Sequence, residues 1–199
     1  MKNSNTDLAY FCISNLGVPY IMGTNGKVFT GAMYNDLTRR NPSGWFTARR
    51  LPKVKAQIGK RTTDCHGLIE WFLAELAGGK WNYDTTADGA FAAAQVKGAI
   101  GSIPELPGVC VRCPGHVGVY IGGGYVVEAR GFDYGVCITK LSARPWTHWY
   151  RHPKIKYTVK TLPAPSPARV GKTTNRYSVV WLQLALNRQI AAGYITGPA

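Results

Sequence analysis

Acidic side chains are scarce and unevenly spread in this chain: 10 Asp and Glu stand against 24 Lys and Arg, a net charge of +14. None lies between Asp36 and Asp64, a stretch that holds Arg39, Arg40, Arg49, Arg50, Lys53, Lys55, Lys60 and Arg61, and none follows Asp133. A field of one sign over such lengths points to a polyanionic partner. No helix-turn-helix, RRM or zinc-finger pattern accompanies it, so nucleic acid is not the expected partner. Long apolar runs are also missing, which excludes a membrane span by a hydrophobic helix. The opening residues, Met1 to Asp7, lack the apolar core of a signal peptide, so synthesis in the cytoplasm without such a signal is expected. Disulfide arithmetic fails too, because five cysteines, Cys12, Cys65, Cys110, Cys113 and Cys137, make an odd count. No second Cys-x-x-Cys completes a set of four with Cys110 and Cys113. In a strand, residues three apart face opposite sides and cannot share a metal without a bend, so no metal and no cofactor is expected. No internal repeat is visible.

What the chain does have is one cysteine in an instructive place. Thr63-Asp64-Cys65-His66-Gly67-Leu68-Ile69 puts Cys65 just after a good N-cap, Asp64, with Leu68, Ile69, Phe72, Leu73 and Leu76 following at helical spacing. Gly78-Gly79 ends that helix. Unpaired N–H groups at a helix start favour a thiolate, so a lowered Cys65 pKa is expected, and the same groups could hold an oxyanion.

Downstream, His116 opens the β-rich run His116-Val117-Gly118-Val119-Tyr120-Ile121, and a glycine turn leads into Tyr125-Val126-Val127-Glu128-Ala129-Arg130. This reads as a hairpin. With the turn centred on Gly122, Val119 falls opposite Tyr125, Val117 opposite Val127 and His116 opposite Glu128. A carboxylate there would fix the imidazole and leave one ring nitrogen for Cys65, giving nucleophile, base and orienter in chain order.

The Asp-Cys-x-Gly-Leu helix start, the Gly-His-Val-Gly-Val-Tyr-Ile-Gly strand and the upstream Leu16-Gly17-Val18-Pro19-Tyr20 together resemble the NlpC/P60 peptidases of bacterial cell walls, over roughly residues 5–157. The resemblance implies a papain-like α+β fold, with N-terminal helices packed on a central antiparallel sheet and the cysteine at a helix N-terminus. It also implies Cys65 as nucleophile, His116 as base and Tyr20 as a tyrosine near the thiol; Asp64, His66 and Arg130 join Tyr20 as candidate substrate contacts. Two positions depart from the family pattern. His66 stands where serine is usual, and Glu128 where histidine, asparagine or glutamine is commoner; Glu128 is similar to the choice made in the related CHAP enzymes.

The implied activity is hydrolysis of peptidoglycan stem-peptide amides, with the γ-D-glutamyl to diamino-acid bond preferred. Alternatives are the amide between N-acetylmuramic acid and L-alanine, acyl transfer on the same scaffold, or a wall-binding protein without catalysis. Peptidoglycan and anionic cell-wall polymers are then the expected partners, and the oligomeric state stays open. A phage or prophage lysin, made in the cytoplasm and released onto the wall, fits the missing signal.

Three units are expected: a catalytic domain over 1–160, a Pro-rich linker over 161–175 and a helical segment over 176–199 similar to part of a peptidoglycan-binding domain. Within the first, residues 7–16 read as a helix, 23–62 as a long surface insertion without periodicity that could wall a groove, and Ala87 to Lys97 as a second helix. Val109 to Cys113, Val136 to Leu141 and Ile155 to Val159 read as strands. Trp146 and Trp149 suit either a substrate groove or core packing.

Overall fold

The structure, a computed structural model, describes residues 3–41 and 44–158, so the expected linker and terminal helix lie outside the described residues. Helix α1, Asn5–Ser14, begins where Ser4 accepts the N–H of Asp7 at 3.1 Å, and it buries Leu8, Ala9, Phe11 and Cys12. Helix α4, Gly67–Leu76, buries Leu68, Ile69 and Phe72. Both pack on one face of a six-stranded antiparallel sheet, where Val117, Val119, Ile121 and Val127 complete the main core. In chain order its strands are β3 Lys97–Ala99, β4 Cys110–Cys113, β5 His116–Gly122, β6 Tyr125–Ala129, β7 Val136–Lys140 and β8 His148–Tyr150, in the spatial order β3-β8-β4-β5-β6-β7. The opposite face is covered by Tyr120, Val126 and Trp146 with Ile100, Ile103 and Leu106. The expected α+β class with helices on an antiparallel sheet is thus what the chain forms.

Several boundaries differ from expectation. Residues 23–62 are not a bare loop: they form β1 Asn25–Val28, α2 Gly31–Arg40, α3 Leu51–Lys55 and β2 Arg61–Thr63, around a small core of Ile21, Phe29, Leu37, Phe46 and Val54. Those apolar residues are too far apart in sequence to show a period, which hid them. The second helix is α5, Ala87–Ala93, and Lys97–Ala99 instead pairs with β8 at the sheet edge. Ile155 to Thr158 make no strand; there Lys156 forms only an isolated bridge with Ser4.

The hairpin register is also shifted. Val119 faces Val127 and Tyr120 faces Val126, two residues away from the expected pairing, because the turn closes at Gly123 and Gly124, with Gly122 opposite Tyr125, and the chain bulges between Tyr120 and Gly122. An even shift keeps every side chain on its face. Residue His116 is therefore a diagonal rather than a direct neighbour of Glu128. Gly118 lies between them, and a Cβ placed on it would sit 3.3 Å from Glu128 Cβ and 2.5 Å from Val126 Cγ1. The missing side chain opens the space through which imidazole and carboxylate meet.

Candidate active site

At the start of α4 the first-turn N–H groups divide cleanly. Asp64 Oδ1 accepts from Gly67 N at 2.7 Å and the Asp64 carbonyl accepts from Leu68 N at 3.2 Å, so Asp64 is the functional cap. Its other oxygen accepts from Gly23 N at 2.9 Å, tying the helix start to the segment after Tyr20. The remaining first-turn N–H groups, those of Cys65 and His66, point at the Cys65 sulfur, together with the N–H of Val117. The thiol thus sits against the first residues of β5, one residue from His116. Gly67 is required by the same packing, since a Cβ there would be 2.1 Å from the carbonyl oxygen of Thr24.

The electrostatic expectation for the thiol is corrected. Burial, reinforced by the Asp64 charge, pushes the Cys65 thiol up to about 12, and the three N–H donors only partly oppose this. At rest the group is a thiol rather than a thiolate.

Glu128 is completely enclosed, with a side-chain exposure of 0%. Its Oε2 accepts from His116 Nε2 at 2.6 Å, and its Oε1 accepts from Thr139 Oγ1 at 2.7 Å and Arg144 Nε at 3.0 Å. Burial raises the Glu128 carboxyl, but the bonds from His116 and Thr139 and the charges of His116 and Arg144 outweigh it and hold the group below the ordinary carboxylate value. The His116 ring lies flat on Trp146, at 5.4 Å between centroids and 10° between planes. Trp146 therefore packs against the imidazole. With Nε2 committed to Glu128, Nδ1 is the ring nitrogen left for chemistry.

Tyr20 is buried beside this centre and feels the charges of Cys65 and Asp64; burial foremost lifts its phenol well above the ordinary range. It also lines a cavity of about 310 Å³ with Pro19, Lys53, Ala56, Gln57, Phe132 and Asp133, so the insertion walls a groove that Tyr20 shares, although neither Cys65 nor His116 lines it. The guanidinium of Arg130 lies over the Tyr134 ring at 4.0 Å, in the loop that carries Phe132. His66 does not face the groove. Only 3% exposed, its ring is held by Glu70 Oε1 at 2.9 Å and lies 3.4 Å from His152 Nε2, so its side chain braces α4 rather than meeting a substrate. Cys110 is buried in the main core, whereas Cys113 packs against the opposite-face cluster, as strand alternation requires. Among the described residues no group of three His, Cys, Asp or Glu could hold a metal ion.

Thr139, Arg144 and the Trp146 stack were not found by sequence reasoning. One signal was available: a glutamate inside an apolar strand needs a counter-charge, and Arg144 is the third cation after it, following Arg130 and Lys140, on the way to β8.

No protein-family model matches the sequence. No curated protein matches it either. Among solved structures, NlpC2 from Trichomonas vaginalis is similar at 20% identity with a TM-score of 0.48, over 76% of this chain and 47% of that one. RipB, a peptidoglycan hydrolase from Mycobacterium tuberculosis, is similar at 18% identity and a TM-score of 0.45, over 79% and 70%. The NlpC/p60 domain of the peptidoglycan hydrolase SagA gives 14% and 0.45, over 74% and 98%. The chain spans less than half the length of the two Trichomonas proteins it matches.

Proposed function

We propose that the protein is a cell-wall cysteine hydrolase that cleaves peptidoglycan stem-peptide amides. The observation that carries this reading is the pairing of His116 Nε2 with the buried Glu128 at 2.6 Å, at the same end of β5 whose Val117 N–H meets the Cys65 sulfur. Because burial keeps Cys65 protonated, His116 Nδ1 takes the thiol proton as sulfur attacks the amide carbonyl, and returns it to the leaving amine. The N–H groups of Cys65 and His66, free of the helix ladder, stabilise the oxyanion. Water then releases the acyl group from the thioester.

The substrate class is the one implied by the resemblance that the motifs around Cys65, His116 and Tyr20 carry. Within it, the γ-D-glutamyl to diamino-acid bond is the preferred site, and the amide between N-acetylmuramic acid and L-alanine is the second. The exposed Arg39, Arg40, Arg49, Lys53, Lys55, Lys60 and Arg61, against which the insertion offers only Asp36, suit contact with anionic wall polymers. Action on the wall after synthesis in the cytoplasm, as in phage lysins, accords with this partner.

Digestion of purified walls, with mass analysis of the released fragments, tests the reading. Cys65→Ser is expected to lower the rate at least about a thousandfold while the fold persists, since a hydroxyl is a far weaker nucleophile beside the same base. Fragment masses separate the two bonds. Near wild-type lysis by Cys65→Ser would refute the thiol mechanism.

A further inference from the structure

The carboxylate that orients His116 is itself balanced by a cation. Glu128 has no solvent contact, and two of its three donors, Arg144 Nε at 3.0 Å and Thr139 Oγ1 at 2.7 Å, sit on Oε1, while His116 has Oε2 to itself. Arg144 comes from the connection between β7 and β8, and its side chain is 22% exposed, so it carries its charge without full desolvation. Its guanidinium also lies over the Trp146 ring at 5.8 Å, the ring on which His116 stacks. Arginine is thereby fixed on one side of the carboxylate and imidazole on the other.

We infer that Arg144 is a positioning residue that neutralises Glu128, so that this glutamate serves His116 as an uncharged amide would, as a hydrogen-bond acceptor that fixes the ring without retaining its proton. The inference rests on His116 being the base. A buried carboxylate with no counter-charge biases its partner towards imidazolium, because an opposite charge within about 4–6 Å favours the charged form by 1–3 pH units. That bias works against the ring as acceptor of the Cys65 proton, since the imidazolium form has no lone pair to offer. With Arg144 in place the carboxylate charge is already balanced on its Oε1 side, and its Oε2 is left to hold the ring by a hydrogen bond. Among the described residues, Arg144 is the only Lys or Arg in an ion pair with Glu128. Cys113 on β4 and Cys137 on β7 flank the pair, and burial foremost raises both thiols, against the charges of Arg144 and Arg112 on Cys113 and of Arg130 and Arg144 on Cys137.

The test reads the His116 ring directly, by NMR titration of its Cε1–Hε1 signal in the full chain, for wild type, Arg144→Met, Glu128→Gln and Glu128→Gln/Arg144→Met. Arg144→Met is expected to raise the titration midpoint by about one pH unit or more, and Arg144→Lys, which keeps the charge, to move it far less. Glu128→Gln leaves the guanidinium facing the ring, so the double variant is expected to titrate about one unit above Glu128→Gln alone. This second comparison stands even if Arg144→Met fails to fold, since neither protein in it contains an unpaired buried carboxylate. Coincident midpoints for Glu128→Gln and the double variant, or an unmoved midpoint in folded Arg144→Met, would overturn the inference. The acid limb of wall digestion separates this from the functional reading: a ring midpoint that moves while the acid limb does not keeps the charge balance and removes His116 as the base.

Discussion

Two histidine–glutamate pairs lie in this molecule, and they differ in what surrounds them rather than in what they are. His66 Nδ1 meets Glu70 Oε1 at 2.9 Å, and His116 Nε2 meets Glu128 Oε2 at 2.6 Å. In the first pair both side chains are 4% exposed, and the second ring nitrogen is spent. Lys154 N–H donates to His152 Nδ1 at 3.2 Å, so the His152 proton belongs on Nε2, facing His66 Nε2, and His66 in turn donates to Glu70. Every ring nitrogen there has a fixed task. In the second pair the imidazole is 15% exposed, its carboxylate is wholly buried, and Nδ1 is the nitrogen not used by Glu128. A histidine does acid–base work only where one nitrogen is held and the other is available; the His66 pair shows what the same residues become when both are held.

The sharpest way to break this comparison is to remove each imidazole. His116→Gln is expected to lower kcat/KM on soluble stem peptides by about 10²–10⁴, the range for losing a general base. His66→Gln is expected to act on stability instead, costing about 2 kcal/mol in urea unfolding, because Glu70 loses a charge-strengthened bond inside the core. Thr85 N–H at 3.0 Å and Asn25 Nδ2 at 3.3 Å keep Glu70 partly satisfied, which limits the loss. Equal falls in kcat/KM for the two variants would erase the distinction.

Gly118→Ala sharpens it at the open pair. The added methyl would fall 2.5 Å from Val126 Cγ1 and 3.2 Å from Trp146 Cη2, in the gap through which His116 reaches Glu128. About 1–3 kcal/mol of stability and about tenfold or more of kcat/KM are expected to go together, since overpacking here moves the ring as well as the sheet. Loss of stability with unchanged kcat/KM would show that the diagonal approach of the two side chains is not what positions the imidazole.

The smallest effect belongs to His152. Burial, followed by the charges of His66 and Lys154, depresses its pKa from 6.5 to about 3. The unfolded chain therefore binds this proton first, so the group's contribution to stability is complete above about pH 6.5 and declines as pH falls towards 3. His152→Gln is expected to flatten that part of the stability profile between pH 6.5 and 4, measured by urea unfolding at each pH. An unchanged slope would mean that other groups carry the acid sensitivity.

How much of this was legible in the sequence varied with the distance over which each feature is encoded. Asp64, Cys65 and Gly67 sit within one helical turn, and their spacing was enough to place the cap and the thiol. His116 and Glu128 were legible as strand neighbours on one face, but their register was not, because the bulge between Tyr120 and Gly122 depends on how the glycine turn closes. Arg144 and Trp146 reach the site from a loop joining β7 to β8, and no local pattern announces such a contact. Desolvation of Cys65 was equally hidden: helix position alone argues for a lowered pKa, and only the packing of Tyr20, Asp64 and β5 around the sulfur reverses the sign. The insertion could be seen as a groove wall from its place in the chain, whereas its own small core could not.

The account stands or falls on a covalent bond to Cys65 formed with the help of His116. Full-length protein is mixed with soluble stem peptide, quenched in acid during turnover, and digested for mass mapping of the acylated residue. The account predicts an acyl adduct on Cys65 in the wild type, strongly diminished in His116→Gln and absent in Cys65→Ser. Turnover by the wild type with no adduct on Cys65, or with the adduct on Cys113 instead, would contradict it.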